Sequence, residues 1–191
     1  MWFPMKDTGE QPTITTERLI LRPLTMEDAP VIQSLAADPD IAATTSDSEL
    51  PEPGTAGQWI KIRQLRYKRS DTIDFAVTLC SDDTFIGTIS LGYEYKKDES
   101  MQLGYWPGKD YWNCGYCTEA ARAVVKYGFE VLGLHRIFSR HFTGNPASGR
   151  VLQKAGMKHE GTLRQAYNKS GIFENLECHG ILKSEYSNSE E

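Results

Sequence analysis

The chain has 191 residues, enough for one well-cored domain and short for two. Hydrophobic residues at 39% and charged residues at 25% are the profile of a soluble globular protein and exclude a disordered or fibrous one. A formal net charge of −5 argues against non-specific nucleic-acid binding, which needs a basic face, and mildly favours cationic substrates through long-range attraction.

In chain order, residues 1–12 and 187–191 read as loose tails around a domain spanning 13–186. Met1-Trp2-Phe3-Pro4-Met5-Lys6 lacks the apolar core of a secretory signal, and no apolar run approaches the roughly 18–20 residues of a membrane span. The expectation is a cytoplasmic protein with no membrane partner. Residues 15–23 read as a strand ended by Pro23. Thr25-Met26-Glu27-Asp28 has the spacing of a capped helix start, followed by apolar Ala29, Ile32, Leu35 and Ala36. Residues 44–54 are polar and turn-rich, which predicts a mobile loop. A helix over 55–69 carries Trp59, Ile62 and Leu65 on one side.

Strands follow at 74–79 and 85–91, joined by the turn Ser81-Asp82-Asp83, then at 101–106 and, beyond a central helix, at 136–142. In that helix Ala121, Val124, Val125, Gly128 and Leu132 fall at i, i+3, i+4, i+7 and i+11. Thr118 suits its N-cap or first position, Glu119 its first turn and Gly133 its end. A short helix over 146–155 precedes Gly156, and strands at 159–166 and 173–181 flank the turn Asn168-Lys169-Ser170-Gly171. There are no internal repeats. The order predicts an α+β domain on one mostly antiparallel sheet.

The most informative stretch is Tyr111-Trp112-Asn113-Cys114-Gly115-Tyr116-Cys117-Thr118-Glu119-Ala120-Ala121-Arg122. A compact turn with one glycine runs into an amphipathic helix, so its N–H groups point outward at a positive helix terminus, a phosphate-holding arrangement. An ordinary loop-to-helix junction has the same local pattern. Cys114 and Cys117 also form a C-x-x-C at a helix start, where thiol pKa values fall. A thioredoxin-like site would need a buried strand before it, and Pro107-Gly108-Lys109-Asp110-Tyr111 is a loop. A zinc site would need a second Cys/His pair of matching spacing, which is absent. The irregular spacing of Cys80, Cys114, Cys117 and Cys178 speaks against a disulfide framework.

The order of elements resembles the GNAT N-acetyltransferase superfamily, and four motifs in sequence narrow it to the Rim-type branch, named for enzymes that acetylate the N-terminal amine of ribosomal proteins. They are Leu103-Gly104-Tyr105-Trp106, the Tyr111 to Ala120 turn, Asn145-Pro146-Ala147-Ser148, and Leu152-Gln153-Lys154-Ala155-Gly156-Met157. The resemblance covers roughly residues 15–186. It implies a mixed sheet of about seven strands with helices on both faces, two central strands splayed to admit acetyl-CoA, and no metal. By that resemblance the pyrophosphate sits on Asn113, Cys114, Gly115, Tyr116, Cys117 and Thr118, and Gly115 allows close backbone approach. The pantetheine pairs like an extra strand with Leu103, Gly104, Tyr105 and Trp106. Asn145 hydrogen-bonds that arm, Lys154 completes the cofactor set, and Ser148 is placed to donate to the departing thiolate. Asn145-Pro146-Ala147-Ser148 also reads as a plain capped helix start.

Three departures from the family pattern stand out. Two cysteines occupy the phosphate turn, where they invite oxidation. Gln102 stands where relatives often carry a glutamate base, and Leu152 where the superfamily's acid tyrosine lies. Acyl transfer to an amine still needs a neutral amine, a polarised carbonyl, an oxyanion site and a protonated leaving sulfur. The reading is direct attack in a ternary complex, with Ser148 as proton donor. The base candidates are Tyr167, better suited to positioning than to proton removal, and Glu99, reaching the cleft through water, and the sequence singles out neither. His141, alternating with Ile137 and Ser139, reads as a core or sheet histidine. The acceptor is a protein N-terminus or a small amine, and exposed strand edges leave a homodimer open. The competing functions are a non-catalytic acetyl-CoA sensor and a C-x-x-C thiol oxidoreductase.

Overall fold

Apolar residues at alternate positions of the β-rich stretches give one sheet two faces to bury, and the computed structural model, which describes residues 10–46 and 49–187, closes a core on each. Eight strands pair in the order β1-β2-β3-β4-β5-β6-β8-β7. They are β1 (Ile14–Thr15), β2 (Leu19–Pro23), β3 (Thr72–Leu79), β4 (Phe85–Tyr95), β5 (Ser100–Pro107), β6 (Arg136–Phe142), β7 (Lys158–Lys169) and β8 (Ile172–Leu182). All pairs are antiparallel except β5 with β6. The helices are α1 (Ala29–Ala36), α2 (Pro39–Thr44), α3 (Ala56–Lys68), α4 (Tyr116–Glu130), α5 (Pro146–Lys154) and α6 (Lys183–Ser187).

One core joins Leu19, Phe75, Leu91, Leu103 and Ile137 of the sheet to Ala121, Val124, Val125 and Phe129 of α4 and Leu152 of α5. The other packs Ile32, Ile41, Ala56 and Ile60 of α1, α2 and α3 against Ala76, Phe85 and Trp106. Gly128 lets α4 lie close to the sheet, since a Cβ there would come within 2.6 Å of Ile137 Cδ1. No helix among the described residues is long and apolar enough to cross a membrane.

Several local expectations need correction. The strand expected over 15–23 is a hairpin of β1 and β2, broken where the Thr16 hydroxyl bonds the Leu19 backbone. Residues 39–44 form α2, because Asp38 accepts from Asp40 N and Pro39 suits a first helical position. In α3 the buried residues are Ala56, Ile60 and Arg63, while Ile62 and Leu65 are more than half exposed. Arg63 wins the inward face because a buried carboxylate, Asp74, waits on β3. The N-cap of α4 is Gly115 at φ 81°, not Thr118, and the strand count rises by one through two-residue β1. The expected 187–191 tail begins as the last residue of α6, and the rest of it lies outside the described residues, as do residues 1–9 of the expected leading tail.

The functionally decisive feature is where pairing stops. β5 and β6 pair only at Ser100 with Arg136, Met101 with Ile137 and Gln102 with Phe138. β5 then stays with β4 as far as Pro107, and β6 stays with β8 as far as Phe142. The two parallel strands therefore part from Leu103 and Ser139 onward, and Ser139 Oγ donates to Leu103 O (2.7 Å) at the fork.

Candidate active site

The parting strands open a cavity of about 550 Å³ lined from both faces of the sheet. Alternation along β5 divides its walls. Leu103 and Tyr105 turn toward the α4–α5 core, while Trp106 belongs to the opposite core and Gly104 faces Glu49. Ser139 and His141 share the α5 side of β6, leaving Arg140 and Phe142 on the other.

At one mouth the chain turns through left-handed conformations at Asn113 (φ 60°) and Gly115 (φ 81°), then enters α4. Helix geometry leaves the N–H groups of Tyr116, Cys117 and Thr118 without intrahelical acceptors. Glu119 does not fold back to cap them. Its carboxylate accepts from Thr16 Oγ1 (2.6 Å), Arg18 N (2.8 Å) and Arg18 Nε (2.7 Å) instead. Burial alone would raise that carboxyl, but these hydrogen bonds hold it below its ordinary range. Arg18 also donates to Cys114 O (3.1 Å) and lies 4.7 Å over the Tyr116 ring, pinning the turn and adding a cation beside it. Arg150 and Lys154, exposed one turn apart on α5, line the same cavity. A chain of net charge −5 thus gathers positive charge at this mouth.

Deeper in, Asn145 caps α5 through Oδ1, which accepts from Ser148 N (3.2 Å). The Ser148 hydroxyl meets the Tyr105 hydroxyl at 2.8 Å, and Tyr105 also donates to Ser148 O (3.1 Å). Burial pushes the Tyr105 phenol above its ordinary value despite the opposing Ser148 bond, so the pair stays protonated. His141 lies behind them on β6. Its Nδ1 is 2.9 Å from Phe142 O, which makes that nitrogen the donor and Nε2 the acceptor. Nε2 is buried with no hydrogen-bond partner among the described residues, and it faces Gly149, where a Cβ would approach to 2.8 Å.

The opposite wall is assembled from distant segments. Glu49, between α2 and α3, carries its carboxylate to 3.8 Å from the point where a Cβ on Gly104 would stand. Arg63 Nη2 contacts Glu49 Oε2 (3.2 Å), while Nη1 donates to Asp74 Oδ1 (2.7 Å), whose partner oxygen accepts from Thr72 Oγ1 (2.6 Å). Phe142 and Tyr167 line the far side with rings 5.3 Å apart and edge to face. The Lys169 ammonium, 4.6 Å over the Phe142 ring, donates to Ala42 O (2.5 Å), Ala43 O (2.8 Å) and Thr45 O (2.8 Å). It ties the β7–β8 hairpin to the end of α2.

Of the residues singled out from sequence, Leu103, Gly104, Tyr105, Trp106, Asn113, Gly115, Cys117, Thr118, Asn145, Ser148, Lys154 and Tyr167 line this one cavity. Three do not. Cys114 is exposed with its carbonyl held by Arg18, and Tyr116 turns its ring under Arg18. Glu99 sits in the turn before β5, at the closed end of the fork, where its carbonyl accepts from His135 N. It is not placed to serve the cleft. The low-pKa expectation for the C-x-x-C also fails at Cys117, whose thiol burial pushes up to about 12. Sequence reasoning did not single out Glu49, which sits in a stretch read as a loop, or the contact of the Tyr105 hydroxyl with Ser148. Only the two-residue alternation of β5, which sends Tyr105 and Gly104 to opposite walls, hinted at either.

A family model described as "Acetyltransferase (GNAT) domain" matches residues 18–158. YoaA of Bacillus subtilis, called an uncharacterized N-acetyltransferase, is 30% identical over 90% of this chain and 97% of its own. A GNAT-family acetyltransferase structure from Bacillus anthracis superposes with a TM-score of 0.80 at 25% identity, covering 91% of this chain and 99% of that one. RimL, a ribosomal L7/L12 alpha-N-protein acetyltransferase solved with coenzyme A, shares the fold at TM-score 0.80 and 14% identity, covering 90% and 98% of the two chains.

Proposed function

The chain belongs to the GNAT acetyltransferase family and is an N-acetyltransferase, and from that premise we propose that it moves an acetyl group from acetyl-CoA to a primary amine by direct attack in a ternary complex. The observation that carries this reading is the fork between β5 and β6, which leaves the β5 edge beyond Gln102 available for main-chain pairing and opens the sheet from one face to the other. Acetyl-CoA suits the residues present. The first turn of α4 offers N–H groups to a pyrophosphate, and Arg18, Arg150 and Lys154 favour its charge.

When bound, acetyl-CoA supplies an activated thioester. The protein's part is to orient and to move protons. A backbone N–H of residues 103–105 holds the acetyl oxygen. As the C–N bond forms and the C–S bond breaks, the nitrogen gives up a proton and the sulfur gains one. The Ser148–Tyr105 hydroxyl pair supplies the latter and is replenished from solvent. The half-buried Cys117 thiol, which desolvation keeps protonated, is a poor nucleophile, and this favours direct attack over an acetyl-cysteine route. The acceptor is a protein N-terminus or a small-molecule amine, met in the cytoplasm.

Calorimetry with acetyl-CoA followed by thiol release over a panel of amines and peptides tests this. Tight binding with amine-dependent release of CoA is expected. Binding without release above background would favour a non-catalytic acetyl-CoA sensor.

A further inference from the structure

We propose that Glu49 is the acceptor-side catalytic carboxylate, which receives a hydrogen bond from the acceptor amine and takes the proton that nitrogen loses as it attacks. The inference rests on the acetyltransfer reading above and deepens it. On the face of β5 turned toward Glu49, the strand itself presents Gln102, which cannot take a proton, and then Gly104, which has no side chain. The space Gly104 leaves is where Glu49 reaches in from the α2–α3 connection, with Cδ and Oε2 both 3.8 Å from an ideal Cβ at that residue. Gly104 lies within the stretch of β5 that has parted from β6, so this carboxylate stands at the opening through which an amine must meet a thioester threaded between the strands.

The carboxylate is also held in place. Its side chain is 34% exposed, while Arg63 beside it and Asp74 behind that are each 5% exposed. Arg63 lies 4.6 Å over the Trp59 ring, and Thr72 donates to Asp74. The chain Thr72–Asp74–Arg63–Glu49 is a rigid bracket built on β3 and α3, and it fixes one oxygen-bearing group over the cavity. Arg63 contacts Glu49 through Oε2. The proton balance closes without a further reactant. An acceptor arriving as an ammonium releases one proton to solvent, its neutral nitrogen attacks and passes the second to Glu49, and the thiolate is protonated from the Ser148–Tyr105 side. Glu49 then returns its proton to solvent.

The test compares wild type with Glu49→Gln and Glu49→Asp, with acetyl-CoA affinity, thermal midpoint and acetyl-CoA-dependent CoA release measured on each. The acceptor probes are a diamine, a polyamine, an aminoglycoside and a peptide with a free N-terminus. Expected are unchanged acetyl-CoA affinity in both variants, a fall of about 100-fold or more in kcat for Glu49→Gln, and partial recovery in Glu49→Asp. Wild-type turnover with Glu49→Gln equal to it would overturn this assignment and leave the acetyltransfer reading standing. A drop matched in Glu49→Asp and accompanied by lost acetyl-CoA binding or a lower midpoint would reduce Glu49 to a structural residue. A wild type that releases no CoA with any probe would overturn both.

Discussion

The two walls of the cleft are built by different means. The wall proposed to hold acetyl-CoA comes from two short contiguous stretches, the turn into α4 and the start of α5, and it presents backbone N–H groups at helix termini. The wall proposed for the acceptor draws Glu49, Phe142 and Tyr167 from distant parts of the chain, with Arg63 and Asp74 braced behind Glu49 and Lys169 over the Phe142 ring. Lys169 alone spans 127 positions to reach Ala42. The contrast teaches that anion binding on one wall rests on backbone conformation, whereas the other wall changes with any of several side chains. An enzyme so divided can keep its acyl donor while its acceptor varies.

The sharpest way to break that contrast is at the base of the acceptor wall. Asp74→Ala leaves the Arg63 guanidinium buried without its strongest partner, and the loss expected is about 3–5 kcal/mol in denaturant unfolding. If the protein survives it, acceptor turnover should fall further than acetyl-CoA affinity. Next in size is the thiolate donor. Ser148→Ala should lower kcat by roughly 10²-fold with little change in acetyl-CoA affinity, and Tyr105→Phe less, because water can take its place. Full kcat in Ser148→Ala would remove the proposed donor.

On the cofactor wall the conformationally special residue is Gly115. Gly115→Val forces a β-branched residue into φ 81°, at a cost of about 1–3 kcal/mol, and titration should find acetyl-CoA affinity lowered by tenfold or more with acceptor selectivity intact. The smallest effect is expected from replacing Cys114 and Cys117 by serine. The neighbouring N–H groups remain, so most turnover should persist, and loss of activity in a folded double variant would reopen thiol chemistry. In wild type, thiol-alkylating reagents should modify exposed Cys114 long before Cys117, whose thiol stays protonated at neutral pH.

Local pattern carried much of the fold. Strand and helix order followed from two-residue and 3.6-residue periodicity, and the hairpin joining β7 to β8 from Ser170 and Gly171, both at positive φ. Failures came where a partner distant in sequence decided the outcome. Leu65 and Ile62 fit an apolar stripe on α3, yet Arg63 took the inward face because Asp74 was there to neutralise it. Glu99 is near β5 in sequence and on the wrong end of it in space. Cys117 starts a helix, which lowers a thiol pKa, but burial outweighs the terminus.

The sequence by itself determined the central run of strands and helices and the capped start of α5, since each depends on neighbours a few residues away. Only the tertiary structure decided where the two parallel strands stop pairing, for the last contact before the fork opens is Ser139 reaching Leu103 across 36 positions. It alone also decided which carboxylate stands over the opening. A side chain's reach into a cavity depends on what packs behind it, and for Glu49 that support, Arg63 on Asp74, is assembled only when α3 settles on β3.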